Sequence, residues 1–190
     1  MSQEVLNTVE KQYGELAKKR LLVWQELIRD DDSLTDLVKM EKVNDFFNQL
    51  KFVSDILHWK KEDYWATPVE FLATGGGDCE DFSLAKYFTL KAIGVSEKKL
   101  NMTYVKALEL NQAHMVVTYH VTPDAEPLVL DNLVSEIKPA SQRKDLLPVY
   151  SFNGYGLWLA KARGRGERVS GSDKLKRWQD LLKRMPEGLY

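Results

Sequence analysis

Apolar residues recur at three- and four-residue steps through the first fifty positions, which is the spacing of helices with one buried face. The pattern over residues 3–28 predicts one long helix that buries Val5, Leu6, Val9, Tyr13, Leu16, Ala17, Leu21, Trp24 and Ile28. Asp30, Asp31, Asp32 and Ser33 interrupt the pattern and offer N-cap oxygens for a second helix. That helix is expected to run to about Leu50 and to bury Leu34, Leu37, Val38, Val43, Phe46 and Phe47.

Two further helices are predicted by their end signals, whereas the apolar residues 52–59 fit neither a helix nor a strand clearly. Thr67 can cap a helix that has Pro68 at its first position and Glu70 completing a capping box. Three glycines at 75–77 make continued helix expensive and should end it. The next helix should cover residues 79–93, between Asp78 as N-cap and Gly94 as stop.

From residue 101 the hydrophobic period changes to two, which is typical of strands. The predicted strands are residues 102–108, 114–121, 128–131, 147–152 and 156–160, with turn residues at 122–127 between the second and third. A short helix over residues 172–184 should close the chain. Helices followed by strands indicate an α+β class with an antiparallel sheet. We expect a single domain over 1–190, with a helical part over about 1–95 and a sheet part over about 100–160.

The amino-acid composition of the chain excludes several classes of protein. The 190 residues carry 27 Lys and Arg against 28 Asp and Glu, so the chain lacks the basic excess of a dedicated nucleic-acid binder. The single cysteine excludes an intramolecular disulfide and any Cys-rich zinc module. No apolar run reaches the roughly 18 residues of a membrane span. The amino terminus has no apolar signal-peptide region, so we expect none in this chain, and the compartment stays open on this evidence.

The one cysteine, Cys79, stands where a helix is predicted to begin. Free backbone N–H groups and the positive end of the helix dipole favour a thiolate there, and the same amides can receive an oxyanion. The glycines at 75–77 would let a substrate backbone approach closely. These features make Cys79 a candidate nucleophile, although a small core residue is the alternative interpretation.

A thiolate nucleophile needs a base and a group to orient that base, and one predicted hairpin offers both. His114 opens one strand and Asp131 closes the next, so the pair are expected to be cross-strand neighbours with Cβ atoms about 5 Å apart. His120 lies roughly 20 Å further along at 3.3 Å per residue, so it cannot serve the same site. His58 is expected to be an ordinary, partly buried histidine. A zinc site built from Cys79, His114 and Asp131 is a second possibility for these ligand types.

Three carboxylates surround the cysteine, and their charge disfavours a thiolate. A hard cation bound by Asp78, Glu80 and Asp81 would offset their negative charge and so allow a reactive Cys79. Calcium suits such a carboxylate set better than zinc. Capping is the alternative: Asp78 as N-cap, with Glu80 and Asp81 in the first turn, where the helix dipole favours acids. The two interpretations are compatible.

The residues Gly77-Asp78-Cys79-Glu80-Asp81-Phe82, followed by His114 and Asp131, resemble the bacterial transglutaminase-like cysteine proteinases. Within that family the chain looks closest to the LapG type, the periplasmic proteases that release biofilm adhesins. The resemblance spans roughly residues 34–160. It implies a papain/transglutaminase-like fold with the nucleophile helix packed on an antiparallel sheet.

The resemblance also implies roles and partners. Cys79 would be the nucleophile, His114 the general base and acid, and Asp131 the orienting carboxylate. Calcium would be held by Asp78 and Glu80, with Asp81 added to the set. The substrate would be a large surface adhesin, cut after an Ala-Ala pair near its amino terminus. An inner-membrane receptor that senses cyclic di-GMP would sequester the protease by pushing an apolar side chain into it.

Three rival functions stay open. A transglutaminase-like acyltransferase would use the same triad with an amine in place of water. A non-catalytic binding module could share the fold. The basic run over residues 161–168 could contact phosphates, or it could be a solvated loop or a docking segment for an acidic face.

Overall fold

The computed structural model describes residues 1–29, 33–160, 165–170 and 175–185. The α-helices within these residues are α1 (Gln3–Tyr13), α2 (Glu15–Ile28), α3 (Asp36–Asn48), α4 (Asp55–His58), α5 (Pro68–Thr74), α6 (Cys79–Ala92) and α7 (Lys176–Arg184). Among the described residues, no helix combines the length and apolar character that crossing a membrane would require.

The strands form one large sheet and one small one. They are β1 (Lys51–Phe52), β2 (Gly76–Gly77), β3 (Leu100–Ala107), β4 (Gln112–Tyr119), β5 (Leu128–Leu130), β6 (Lys138–Pro139), β7 (Leu146–Asn153), β8 (Gly156–Ala160) and β9 (Arg165–Ser170). The large sheet has the order β6-β5-β4-β3-β7-β8-β9, and its neighbouring strands are antiparallel. Strands β1 and β2 pair in parallel. The predicted combination of helices with an antiparallel sheet is therefore confirmed.

Helix α6 lies at the centre of the molecule, because every residue from 81 to 90 is buried. It packs against β4 and β3 on the sheet side and against α3 and α5 on the other. Aromatic rings fill the space near its carboxyl end: Trp178 stacks on Phe88 with centroids 5.4 Å apart and meets Phe152 edge-on at 5.7 Å. This rigid packing holds the amino end of α6 in a fixed place relative to the sheet.

The first helix differs from its prediction, because residues 3–28 form two helices instead of one. Gly14 separates them with φ +88° and ψ 173°, a backbone conformation that is essentially restricted to glycine. Because of the break, the buried face of α2 does not continue the buried face of α1. Ala17, Leu21 and Trp24 are fully buried as predicted, but Leu16 is 70% exposed and Tyr13 42% exposed.

The second helix is shorter than predicted. Thr35 is its N-cap, accepting a hydrogen bond from the Val38 amide, and Asn48 is its last residue, two before Leu50. The predicted capping residues Asp30, Asp31 and Asp32 lie outside the described residues. Val43 and Phe47 are buried as predicted, Leu34, Val38 and Phe46 are partly buried, and Leu37 is 48% exposed.

The signals around the cysteine predicted local structure well. The capping box of α5 is present, and Gly75 ends this helix in the left-handed conformation with φ +82°. Helix α6 begins after Asp78 and ends two residues before Gly94, whose φ is +89°. The ambiguous residues 52–59 divide between β1 and α4, and β1 pairs with a two-residue strand, β2, that no pattern predicted.

The five predicted strands are all present, each within about two residues of its predicted ends. Strands β6 and β9 were not predicted. Part of the basic run over 161–168 belongs to β9, and residues 161–164 lie outside the described residues. The last helix begins at Lys176, and residue 172, where it was predicted to start, also lies outside them.

The register between β4 and β5 differs from the one expected. Val117 lies opposite Leu130 and Tyr119 opposite Leu128, so Asp131 follows the end of β5 and continues the ladder toward Val116. The expectation that His114 and Asp131 are directly opposed is therefore wrong by two residues. Their side chains nevertheless meet, because diagonal neighbours across an antiparallel pair are still within reach of long side chains.

Candidate active site

The start of helix α6 docks against the edge of β4. Ser83 donates its hydroxyl to the carbonyl of Met115 at 3.0 Å, and the backbone N–H of Met115 is near enough to the sulfur of Cys79 to act against the rise of its pKa. Both contacts are to the residue that follows His114 in β4. The packing therefore brings the cysteine and the histidine, which are distant in sequence, to one place.

His114 and Asp131 form a buried pair. Nε2 of His114 lies 2.7 Å from Oδ1 of Asp131, and the two residues are 2% and 1% exposed. Although burial raises the pKa of Asp131, the hydrogen bond and charge of His114, the amide of Leu133 and the guanidinium of Arg143 together lower it to about 2. An ionised carboxylate only accepts hydrogen bonds, so Nε2 is the nitrogen that donates to it, and Nδ1 is left facing away from Asp131.

The neighbours of Asp131 come from distant parts of the chain. Arg143 donates from Nη2 to Oδ2 of Asp131 at 2.7 Å, and the Leu133 amide donates to Oδ1 at 3.1 Å. The side chain of Asn48, in the last turn of α3, donates to the backbone carbonyl of Asp131 at 2.9 Å. Both the carboxylate and the backbone of Asp131 are thus held in position.

The sulfur of Cys79 faces an acid as well as the sheet. It donates to Oε2 of Glu80 at 2.8 Å, and the Tyr104 hydroxyl donates to the other oxygen of that carboxylate at 3.0 Å. Burial, followed by the charge and hydrogen bond of Glu80 and the charge of Asp78, raises the pKa of the Cys79 thiol far above its usual value. In this arrangement the sulfur is a protonated thiol.

Three carboxylates converge next to the cysteine without enough donors to satisfy them. Asp55, Asp78 and Asp81 each offer an oxygen, and these atoms lie within 4.8 Å of one another. Oδ1 of Asp55 and Oδ2 of Asp81 are buried with no hydrogen-bond partner among the described residues. Burial and mutual repulsion raise the pKa of Asp78 to about 9, and burial is the main cause that raises the pKa of Asp81 to about 8. Such a cluster of buried oxygens is the donor set that a hard divalent cation prefers.

The structure brings together some predicted site residues and separates others. Cys79, His114 and Asp131 lie in one region, and Asp78 and Asp81 share one acidic cluster. The carboxylate of Glu80, the third expected metal ligand, contacts Cys79 and Tyr104 instead of joining that cluster.

Asp55 is a member of the cluster that sequence analysis missed. The parallel pairing of β1 with β2 carries it there, since the Val53 amide donates to the carbonyl of Gly77 at 2.8 Å. Two-residue strands have no readable period, so no sequence signal pointed to Asp55.

The other candidates lie away from this region. His120 is buried with Nδ1 3.2 Å from the carbonyl of Ala125. His58 packs edge-on against Trp59 with centroids 4.7 Å apart.

Comparison with known proteins agrees with this geometry. Residues 25–147 match the family model described as bacterial transglutaminase-like cysteine proteinase. The chain belongs to this family. A search of curated protein sequences finds no match.

Solved structures of LapG from Legionella pneumophila are 46% identical to the chain. One structure covers 97% of both chains with a TM-score of 0.82, and an EGTA-treated form covers the same shares with a TM-score of 0.83. A calcium-bound form covers 97% of this chain and 99% of its own with a TM-score of 0.82. The expected transglutaminase-like fold and the cysteine proteinase class are confirmed.

In this cysteine proteinase the glycines before Cys79 are required by the protein's own packing. A Cβ added at Gly76 would lie 2.6 Å from the carbonyl oxygen of Lys51, and one added at Gly77 would lie 2.2 Å from Oδ2 of Asp81. The space beside both glycines is therefore filled by this chain. Close approach of a substrate is not needed to explain them.

Replacing Asp78 with Asn should stabilise the metal-free proteinase increasingly as pH rises from about 5 to about 9. The folded-state pKa of Asp78, about 9, lies above its usual 3.8, so folding favours the protonated form and stability is lost as pH rises through the folded pKa. Asn keeps the N-cap oxygen but cannot ionise. Thermal unfolding in EDTA across this pH range measures the effect, with about 2–4 °C gained for each kcal/mol of repulsion removed.

Asp124→Asn is the matched control for this experiment, since Asp124 is exposed and undergoes the same change of charge. Its difference in Tm from the wild type should stay flat with pH. A flat difference for Asp78→Asn as well would show that the acidic cluster does not destabilise the folded state.

Proposed function

We propose that this cysteine proteinase is a calcium-dependent endopeptidase that cleaves a large cell-surface adhesin near its amino terminus. The buried contact between His114 and Asp131 is the observation that supports it most, because it supplies an oriented base on the strand against which α6 docks, the helix that begins with the only cysteine. Similarity to LapG over 97% of the chain supports the choice of substrate class. Cleavage after an Ala-Ala pair, release of biofilm cells and a periplasmic location belong to the same proposal.

The residues divide the acyl-transfer chemistry among them. Nδ1 of His114 accepts the thiol proton of Cys79 as the sulfur attacks the scissile carbonyl carbon. The backbone amide of Cys79, at the first position of α6, donates to the oxyanion. His114 then gives its proton to the leaving amine, which departs and leaves a thioester on Cys79. Asp131 stabilises the imidazolium throughout without itself taking a proton.

A water molecule completes the reaction. Nδ1 of His114 removes a proton from water, whose oxygen attacks the thioester carbonyl. The carbon–sulfur bond breaks and the proton on His114 returns to the Cys79 sulfur. The new carboxylic acid leaves and gives its own proton to solvent. An amine in place of water would give a cross-linked product, which is the acyltransferase alternative.

The acidic cluster fits calcium. Asp55, Asp78 and Asp81 present hard oxygen donors, and two of those oxygens have no partner among the described residues. Bound calcium would supply positive charge that offsets the carboxylates next to Cys79, which otherwise disfavour a thiolate. Glu80 stays free in this assignment to accept the hydrogen bond from Tyr104.

Regulation by sequestration is part of the proposal. A receptor in the inner membrane that senses cyclic di-GMP would hold the protease by inserting an apolar side chain. Exposed apolar residues lie close to the acidic cluster and offer a surface for such a contact: Phe52, Ile56 and Leu57 are between 53% and 68% exposed.

Changing Cys79 to Ala should abolish cleavage of an adhesin amino-terminal fragment, because no other side chain can form the thioester. Changing Asp131 to Asn should lower kcat by about 10⁴-fold, since it favours the wrong imidazole tautomer. Gel and mass-spectrometric analysis of the fragment with calcium present measures both effects.

His120→Gln is the control that removes a histidine outside the site and should cleave normally. A second fragment with the Ala-Ala pair changed to Arg-Arg should stay intact. Cleavage by the Cys79→Ala variant would refute the nucleophile, and cross-linking to an added amine without cleavage would favour the acyltransferase.

Calcium should raise the Tm of the wild-type protein, and EGTA should reverse the rise. At a calcium concentration 100-fold above Kd the stabilisation is about 2.7 kcal/mol, or roughly 5–10 °C for a chain of this length. Asp55→Asn should remove most of this shift because it deletes a ligand. Glu80→Gln should keep most of it.

Magnesium at the same concentration is the control for general screening by a divalent cation. If Glu80→Gln removes the calcium shift and Asp55→Asn does not, the ligands are Asp78, Glu80 and Asp81. Absence of any shift in the wild type would contradict calcium binding.

A further inference from the structure

The guanidinium of Arg143 joins two acids at the back of the candidate triad. Its Nη2 donates to Oδ2 of Asp131 and to Oδ2 of Asp145, each at 2.7 Å, and its Nε donates to Oδ1 of Asp145 at 3.0 Å. Arg143 is 4% exposed. A long cationic side chain this deeply buried is uncommon unless it is paired, and here it is paired twice.

The local backbone presents Arg143 to this position. Residues Ala140–Gln142 form a short 3-10 helix, and the Arg143 amide closes it by donating to the Ala140 carbonyl at 3.0 Å. Asp145 follows two residues later, just before β7, so the side chain that holds the guanidinium comes from the same turn. The position of Arg143 is thus set by its own turn, independently of its contact with Asp131.

The contact with Arg143 occupies the oxygen of Asp131 that His114 does not use. Oδ1 accepts from Nε2 of His114 and from the Leu133 amide, while Oδ2 accepts from Arg143. A carboxylate held through both oxygens cannot rotate about its last bond without losing hydrogen bonds. Its orientation fixes the imidazole plane, and therefore the direction in which Nδ1 points.

Arg143 differs from the other buried cation near Asp131 in both charge and geometry. Lys86, on α6 and 1% exposed, has its pKa lowered to about 7 by burial, against the raising effect of Asp131. A guanidinium keeps its charge, and it adds a fixed geometry. A planar guanidinium can bind two carboxylates at fixed angles, which a lysine ammonium cannot reproduce.

We propose that Arg143 is a positioning residue of this proteinase, which holds Asp131 in the orientation that aligns His114, with Asp145 anchoring the guanidinium. The inference rests on the proposed function, since it takes Cys79, His114 and Asp131 as the triad. Arg143 acts through Asp131 and touches no reacting atom.

The test compares Arg143→Gln and Arg143→Lys with Lys144→Gln in the full calcium-loaded chain. Lys144 is the exposed neighbour of Arg143 and loses the same charge. Proton NMR follows the imidazole N–H that His114 donates to Asp131, assigned by its loss in His114→Gln. Cleavage of the adhesin fragment gives kcat and KM separately.

Arg143→Gln should broaden or shift the His114 N–H resonance and lower kcat by about 10- to 100-fold with little change in KM, as expected for a misplaced catalytic group. Arg143→Lys should recover only part of kcat, because it restores the charge without the planar geometry. Lys144→Gln should match the wild type in both measurements.

Other outcomes are equally decisive. An unchanged resonance and kcat in Arg143→Gln, with a lowered Tm only, would overturn the inference and leave Arg143 a structural residue. Full recovery by Arg143→Lys would overturn the geometric role in favour of charge. If Arg143→Gln does not fold, the resonance and kcat of Arg143→Lys decide between the same alternatives. A wild type that shows the Arg143-dependent resonance but cleaves nothing would refute the proposed function while supporting the positioning of His114.

Discussion

The site depends on a short stretch of β4 that the sheet leaves unpaired. Strand β5 ends at Leu130, opposite Val117, so the N–H and C=O of Met115 have no strand partner on that side. Buried backbone groups must find partners elsewhere. Helix α6 provides a partner for the carbonyl through the Ser83 hydroxyl, and it places the Cys79 sulfur near the N–H. A β5 longer by two residues would cover this edge and keep the start of α6 away from it.

The site contains two groups of acids, Asp131 and the acidic cluster, whose negative charge is compensated to different extents. Asp131 has its negative charge satisfied by its own chain, through His114, Leu133 and Arg143, and its pKa falls to about 2. The acids of the cluster have few donors, and burial followed by the charges of Glu80, Asp81 and Asp55 raises the pKa of Asp78 to about 9. The charge of the His114–Asp131 pair is therefore balanced by the protein alone, whereas the carboxylates next to Cys79 favour a bound cation.

Local sequence signals predicted the elements that local chemistry determines. The capping box at Thr67 and the helix between Asp78 and Gly94 depend on residues a few positions apart. The break at Gly14 escaped prediction because a glycine inside a helical pattern is tolerated at a cost of about 1 kcal/mol, and only its φ reveals the break. Asp55 and Arg143 escaped because tertiary packing, not sequence spacing, brings them to the site.

The pairing of His114 with Asp131 shows how a correct contact can follow from an inexact register. The long turn over residues 122–127 does not fix which residues of β4 and β5 face each other, since only tight turns specify register closely. Alternate residues of a strand lie on one face of the sheet, so His114 lies on the same face as Val116 and as Asp131, which follows the end of β5. A diagonal contact is then enough to join the two side chains.

The thiol of Cys79 has one proton, and in this arrangement it goes to Glu80. In the proposed mechanism this proton passes to His114, so attack requires the sulfur to turn from one acceptor to the other. Tyr104 holds the second oxygen of Glu80. The proposal therefore requires the cysteine side chain, and not Glu80, to move.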